Sequence, residues 1–499
     1  LSTIIDFSNY SLTIASENKD YVILKDLNIK LQKGCITSII GVSGSGKSMT
    51  LKSILGLFEN VSNANQSGSI TYRDEDSKIE LVNASIDNMK VIRKNRIGLV
   101  FQQSSQVLNP SHKIGVQVGE RIKESNSKNS LKQKVLDCLI EVELDHPEII
   151  YNKYPHELSG GQLQRVLIAI GIIAKPKLLL IDEPTSALDA ELKIKIMDLI
   201  KRLCSKYNVS VLLVSHNMHL ISDYSHYIIV IDDGVIQEYG STQQLLSNPQ
   251  SDVTKLLLRK NTFKEAKQQE VGTSVIIETK NLSHSFKIQN GIISKKSMPV
   301  LKDLNVQLFE GEFLGVVGKS GSGKSTLGKI MAGLLQPTYG DVLFKGHSIF
   351  EMSNNEFDIY NKTVQIIFQD PLSSLTPHRN GKEVLEEAIN IANAQAQFSD
   401  LQSYLSQFSL PEDILSKTPK QMSGGQRQRL AIARALIFNP QVLICDEILS
   451  SLDTPVQANI MSLIFEMKRL NELSVIFISH DIALIEQFSN RIIEIENLH

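Results

Sequence analysis

Two short strings, GVSGSGKS at Gly41–Ser48 and GKSGSGKS at Gly318–Ser325, carry the clearest chemistry in this sequence. Each follows an apolar run of strand type and leads into a helical pattern, the context in which a glycine-rich loop cradles phosphate. Gly41, Gly44 and Gly46, with Gly318, Gly321 and Gly323, let successive backbone N–H groups turn inward around phosphate oxygens, and the following helix adds the positive end of its dipole. Ser43 and Ser45, and Ser320 and Ser322, line the same loops, which run on into Met49 and Thr326. Lys47 and Lys324 are expected to bridge the β and γ phosphates of a nucleoside triphosphate, and Ser48 and Ser325 to ligate magnesium.

Acids complete the site. LLLIDE and VLICDE each end an apolar run in two carboxylates, which therefore emerge at the carboxyl edge of a sheet. Asp182 and Asp446 are expected to hold magnesium through water, while Glu183 and Glu447 orient and deprotonate an attacking water. His216 and His480 each end a further apolar run, 33 residues beyond the glutamate in both cases. An imidazole there can donate a hydrogen bond to charge developing on the γ phosphate.

The elements that must position these groups occur twice. LKDLNI at Leu24 and LKDLNV at Leu301 stand 277 residues apart, as do Lys47 and Lys324. LSGGQ and MSGGQ, LLLIDE and VLICDE, and VSH and ISH recur at a constant 264. A period this long is a duplicated domain, since solenoid repeats run about 20 to 50 residues. The expected domains are residues 1–258 and 274–499, joined by the polar linker 259–273. In each, short β-rich runs such as CITSII, KLLLI and VSVLLV alternate with longer helical stretches, so the fold class is α/β with a mainly parallel sheet. After the last run, copy one continues through YIIVIDDGVIQEYG, whose DDG predicts a hairpin; copy two is expected to lack that return strand.

Composition narrows the function classes. Hydrophobic residues at 42% and charged residues at 21% predict packed globular domains. A net charge of -2 gives no overall basic field for nucleic acid, so none is expected as a partner. Cys35, Cys138, Cys204 and Cys445 lack CxxC spacing, which argues against a zinc or iron–sulfur site and against a disulfide framework and suits a reducing cytosol. Val166–Ala174 is about half the roughly 20 residues that cross a bilayer and predicts a buried helix. The opening LSTIIDFSNY does not resemble a secretory signal, so any membrane component is expected to be another chain.

With LSGGQ at Leu158–Gln162, between the phosphate loop and LLLIDE, the chain resembles the ABC ATPase superfamily over nearly all of both copies. The resemblance implies two tandem P-loop NTPase domains of ABC type, each with an antiparallel β subdomain and a helical subdomain. It implies ATP and magnesium as ligands and head-to-tail intramolecular pairing of the domains. Ser159, Gly160, Gly161 and Gln162 would then face the ATP on Lys324, and Ser423, Gly424, Gly425 and Gln426 the ATP on Lys47. Gln102 and Gln369 match the family's glutamine loop, which touches magnesium, and SALD and SSLD (residues 186–189 and 450–453) match the loop that communicates across the dimer. Both copies keep the catalytic set, so two hydrolytic sites are expected. Three departures stand out: Met422 for the usual leucine, Ile448 for the proline seen as Pro184, and Ile14 where copy two has Phe286, the adenine-stacking aromatic.

QSSQVLNP, DPLSSLTP and YPHELSGGQ resemble the peptide and nickel importer branch. That resemblance implies an ATPase on the cytoplasmic face of the cell membrane, energising two integral permease subunits fed by an extracytoplasmic substrate-binding protein. Residues 103–157 and 370–421 are the docking surfaces it implies, and peptides, nickel or a metal chelate the cargo. The alternative from another class is a soluble double-ABC ATPase acting on ribosomes or DNA, which the short linker and slight acidity disfavour.

Overall fold

The computed structural model describes the chain except residues 1, 16–19, 43, 60, 62, 75–76, 102–106, 126, 186–189, 216–217, 259–270, 291–293, 320, 395–399, 450–453, 472 and 497–499. It divides into two compact units, Leu1–Arg259 and a second comprising Lys260–Leu452 and Val456–His499.

The first unit opens with strands β1 (Thr3–Ile14), β2 (Tyr21–Gln32) and, after the first phosphate-loop strand β3 (Ile36–Ile40), β4 (Ala64–Arg73) and β5 (Lys78–Glu80). β2, β1, β4 and β5 form an antiparallel sheet in that order, one face of which packs Phe7, Tyr10, Leu12, Leu27 and Ile70 into a core. β6 (Ile97–Val100), β7 (Leu178–Asp182), β8 (Ser210–Val214), β9 (Tyr227–Asp232) and β10 (Val235–Ser241) join β3 in a second sheet, ordered β10-β9-β3-β8-β7-β6. All its neighbouring pairs are parallel except β9 with β10. β3 and β8 are buried at every residue, because helices cover both faces, which is why these strands read as unbroken apolar runs rather than as alternations. The hairpin expected from DDG forms, with Asp233 and Gly234 at φ 45° and 72° as a tight two-residue turn requires.

The second unit repeats the plan. β11 (Val275–Asn290), β12 (Ser294–Phe309), β14 (Tyr339–Phe344) and β15 (His347–Ser348) form an antiparallel sheet ordered β12-β11-β14-β15. β13 (Phe313–Val317), β16 (Val364–Ile367), β17 (Val442–Asp446), β18 (Ser474–Ile478) and β19 (Arg491–Glu494) form a parallel sheet ordered β16-β17-β18-β13-β19. Among the described residues no strand follows β19 in this sheet.

Between β6 and β7 the first unit inserts helices Ile114–Gly119, Lys128–Glu141 and Pro147–Asn152, followed by the long helix Gly160–Ile172. Val135, Leu139, Ile150, Val166 and Leu167 of these helices share one core with β7 and β8. Val166–Ala174, expected as a buried helix, supplies most of the inner face of Gly160–Ile172. Helices Gly381–Ala392, Leu401–Gln407 and Gly424–Leu436 do the same in the second unit. Most of the linker expected at 259–273 lies outside the described residues.

Candidate nucleotide site in each unit

Helix Lys47–Ile54 starts directly after β3, and helix Lys324–Met331 after β13. Gly46 and Gly323, the residues before them, sit at φ 100° and 95°, and Gly44 and Gly321 at 85° and 84°, conformations that glycine adopts without a steric penalty. A Cβ at Gly41 would lie 1.9 Å from the Ile231 carbonyl oxygen, so that glycine is set by close approach of two backbones. A Cβ at Gly44 or Gly321 would meet nothing within 4 Å, so open space lies beside each of these residues.

The lysines hold the loops closed. Lys47 Nζ donates to the carbonyls of Gly41 (2.8 Å) and Val42 (2.7 Å), and Lys324 Nζ to those of Gly318 (2.8 Å) and Lys319 (2.9 Å). Each ammonium is thereby fixed at the loop's mouth, in a place sequence reasoning did not specify. Ser45 Oγ and Ser322 Oγ are buried in the loops with no hydrogen-bond partner among the described residues, a demand that a phosphate oxygen would meet. Met49 and Thr326 occupy the first turns of the two helices.

Ser48 Oγ donates to Asp182 Oδ1 at 3.0 Å and Ser325 Oγ to Asp446 Oδ1 at 2.9 Å. Burial pushes both aspartates above the usual carboxylate range; the serine hydroxyls oppose that shift, and the adjacent Glu183 and Glu447 reinforce it. A hydroxyl and a carboxylate oxygen side by side form the hard, oxygen-only donor set that suits magnesium.

Strand order assembles the rest. In the second unit β17 lies between β16 and β18, so the residues just past the three carboxyl ends converge: Gln369, Glu447 and His480. Gln369 Nε2 donates to Glu447 Oε2 at 3.1 Å, and His480 Nδ1 lies 3.5 Å from the same oxygen. Glu447 and its counterpart Glu183 take φ of 49° and 44°, left-handed values that are uncommon for a side-chain-bearing residue and that cluster at functional sites. The Glu183 N–H donates to the Val214 carbonyl and the Glu447 N–H to the Ile478 carbonyl, each at the end of the neighbouring strand. The recurrence of Gln, Glu and His in both copies was the signal for this cluster; their mutual contact was not readable. Gln102, His216, Ser43, Ser320 and both SALD-type loops lie outside the described residues.

Ser159 and Ser423 cap the helices Gly160–Ile172 and Gly424–Leu436. Each serine Oγ accepts from the backbone N–H of Gln162 or Gln426, whose side-chain oxygen accepts in return from the serine N–H. Gly160 has no atom within 4 Å of a would-be Cβ and Gly424 only the end of Arg427, so both turns present bare backbone, with Gly161 and Gly425 completing the first turn. The signature string is therefore a helix-capping turn that leaves Gly160 and Gly424 exposed at the surface. Met422 is buried in the core of its unit, as Leu158 is in the first, and Ile448 is buried as well. Phe286 lies on β11 and is 43% exposed, its ring edge-on to His284 at 4.8 Å, whereas Ile14 ends β1 and packs against the core.

Two parallel-sheet units, each with a glycine loop closed by a lysine, a strand ending in paired acids and a serine-capped signature helix, define a doubled phosphate-loop nucleoside triphosphatase. The family model described as ABC transporter matches residues 24–186 and 301–450. The chain belongs to the ABC transporter family and is an ATPase whose domains bind ATP. It is 31% identical to an uncharacterized ABC transporter ATP-binding protein, YejF, of Escherichia coli (strain K12), over 98% of this chain and 93% of that one. It is 32% identical to the peptidoglycan transport ATP-binding protein YejF of Agrobacterium fabrum, over 95% and 87%. The glutathione import ATP-binding protein GsiA of Pectobacterium atrosepticum is 30% identical over 98% and 84%. Among solved structures, the archaeal ribosome recycling factor aABCE1 in complex with ribosomal stalk protein aP1 is 21% identical with a TM-score of 0.62, over 97% of this chain and 86% of that one, a likeness of fold alone.

Proposed function

We propose that this chain is the energising subunit of an ABC importer, hydrolysing ATP at two sites on the cytoplasmic face of a membrane to drive two integral permease subunits. The carrying observation is near-full-length similarity to relatives named for import and transport, together with complete loop, acid and signature sets in both copies. Glutathione and the stems of peptidoglycan both contain peptide bonds, so a peptide-type cargo is favoured over nickel or a metal chelate. No described helix is long and apolar enough to cross a membrane, so the pore in this reading belongs to other chains. A substrate-binding protein outside the membrane would deliver the cargo.

At each site the loop N–H groups and the lysine would hold the phosphates, and the serine hydroxyl with the aspartate would hold magnesium, which would neutralise phosphate charge. The glutamate carboxylate accepts a proton from the attacking water as its oxygen approaches phosphorus in line with the bond to the leaving diphosphate. The histidine, Nδ1 or Nε2 protonated, donates to the developing oxyanion. Pairing of each signature turn with the opposite phosphate loop rests on the family resemblance, and fusion of the two copies raises their effective concentration toward one another.

A double-ABC ATPase acting on ribosomes is the second reading, and it has in its favour only a likeness of fold. Affinity purification of the full chain from native membranes separates the two. Co-purification of integral membrane subunits, with hydrolysis abolished by Glu183→Gln plus Glu447→Gln, is the expected result. Recovery of ribosomal material instead would end the importer reading and leave the ATPase standing.

A further inference from the structure

The cross-strand register points to a residue that the repeat alone does not reveal, and we propose that Tyr21 is the base-stacking aromatic of the first nucleotide site. It would do from the facing strand what the family resemblance implies for Phe286 in the second unit. The inference rests on the nucleotide reading of the two loops.

Each phosphate loop backs onto the same stretch of its antiparallel sheet. A Cβ at Gly46 would lie 3.2 Å from the Ile23 carbonyl oxygen and 2.7 Å from Leu24 Cδ2; at Gly323 the corresponding neighbours are the Val300 oxygen at 2.9 Å and Leu301 Cδ2 at 2.7 Å. Two residues earlier on these strands stand Tyr21 and Met298. Tyr21 pairs directly with Ile14, and Met298 with Phe286. Both hairpins also carry the same irregularity beside the loop: Leu12 pairs with Leu24 but Thr13 with Val22, and His284 with Leu301 but Ser285 with Pro299. Register and loop contact thus make the two cross-strand pairs equivalent.

Each pair holds one aromatic and one unbranched or branched aliphatic chain, on opposite strands in the two units. Directly opposed residues of an antiparallel pair project from the same face with Cβ atoms about 5 Å apart. Moving the ring from one strand to the other therefore keeps it on the same face beside the loop. Tyr21 is 54% exposed, compared with 43% for Phe286, while Ile14 is partly buried against the edge of the core. At about 3.3 Å per residue the Tyr21 Cα is roughly 7 Å along the strand from Ile23, the residue against whose carbonyl Gly46 of the loop packs. A phenol offers the flat face that stacks on a base and adds a hydroxyl that Phe286 lacks.

The chain contains no tryptophan, so Tyr21→Trp installs a single tryptophan whose emission is read apart from that of the tyrosines. In the full-length protein carrying Lys324→Ala, which confines ATP to the first site, ATP is expected to quench and shift that emission, and tripolyphosphate, which has no base, to leave it unchanged. In the same background Tyr21→Ala weakens ATP binding by roughly tenfold or more in equilibrium dialysis. Tyr21→Phe restores it, and tripolyphosphate binding does not change. Val22→Ala, an exposed neighbour on the same strand, keeps ordinary ATP affinity and so separates stacking from damage to the hairpin. Unchanged ATP affinity in Tyr21→Ala, or unmoved emission on a chain that dialysis shows to be loaded, overturns the proposal and leaves the nucleotide reading intact. If Lys324→Ala alone retains no ATP, the reading of the first site fails and the proposal fails with it.

Discussion

Glu447 is gripped by two groups that have other expected partners: Gln369 donates to it, and His480 lies against the same oxygen. In the proposed cycle Gln369 and His480 would turn to the bound magnesium and phosphate, leaving the Glu447 carboxylate to accept a proton from water. Replacing Glu183 and Glu447 together by glutamine removes the base and keeps the shape, so phosphate release should fall by roughly 10²- to 10⁴-fold while ATP affinity changes little. Backbone demands are as strict as the chemical ones. Gly323→Ala forces a side chain into a left-handed conformation with its Cβ 2.7 Å from Leu301. The conformation alone costs about 1–2 kcal/mol, and a lowered urea midpoint together with weaker ATP binding at the second site would register it.

At the scale of elements, each signature helix combines a stabilising cap with a proposed contact to nucleotide, and the two contributions can be separated. Loss of an N-cap serine costs about 1 kcal/mol. Ser159→Ala with Ser423→Ala should therefore lower the melting temperature by only a few degrees but reduce hydrolysis at least tenfold; ordinary hydrolysis would leave the serines as caps and nothing more. Glu143, at the end of helix Lys128–Glu141, accepts from Arg165 on the first signature helix at 2.8 Å and also from Arg202 on helix Ala190–Tyr207. The Arg165 hydrogen bond, aided by Arg202, holds its carboxyl below the usual range. A depressed carboxylate contributes stability above its unfolded pKa of about 4.3 and loses it as pH falls through the lower folded value. The difference in melting temperature between the parent and Glu143→Gln should accordingly be present near neutrality and close as pH falls below the unfolded value through the lower folded one.

For the whole molecule, two complete loops predict two ATP molecules bound per chain, and Lys47→Ala and Lys324→Ala should each remove one in equilibrium dialysis. Much of this was legible in the residues. The duplication, the phosphate loops, the acidic strand ends and the buried runs of β3, β8, β13 and β18 all depend on local pattern, because a strand covered on both faces must be apolar throughout and a loop around phosphate must be rich in glycine. Other features depended on which strands become neighbours. Gln369 and Glu447 are 78 residues apart, and they meet only because β16 lies beside β17. Ile14 reads as a missing aromatic until the pairing of β1 with β2 sets Tyr21 opposite it. The sequence by itself determined the chemical groups and their doubling, since composition and spacing carry those. Strand order, cross-strand register and the left-handed backbone at Glu183 and Glu447 were decided by the tertiary structure, because each arises from contacts between segments whose separation along the chain encodes nothing about their distance in space.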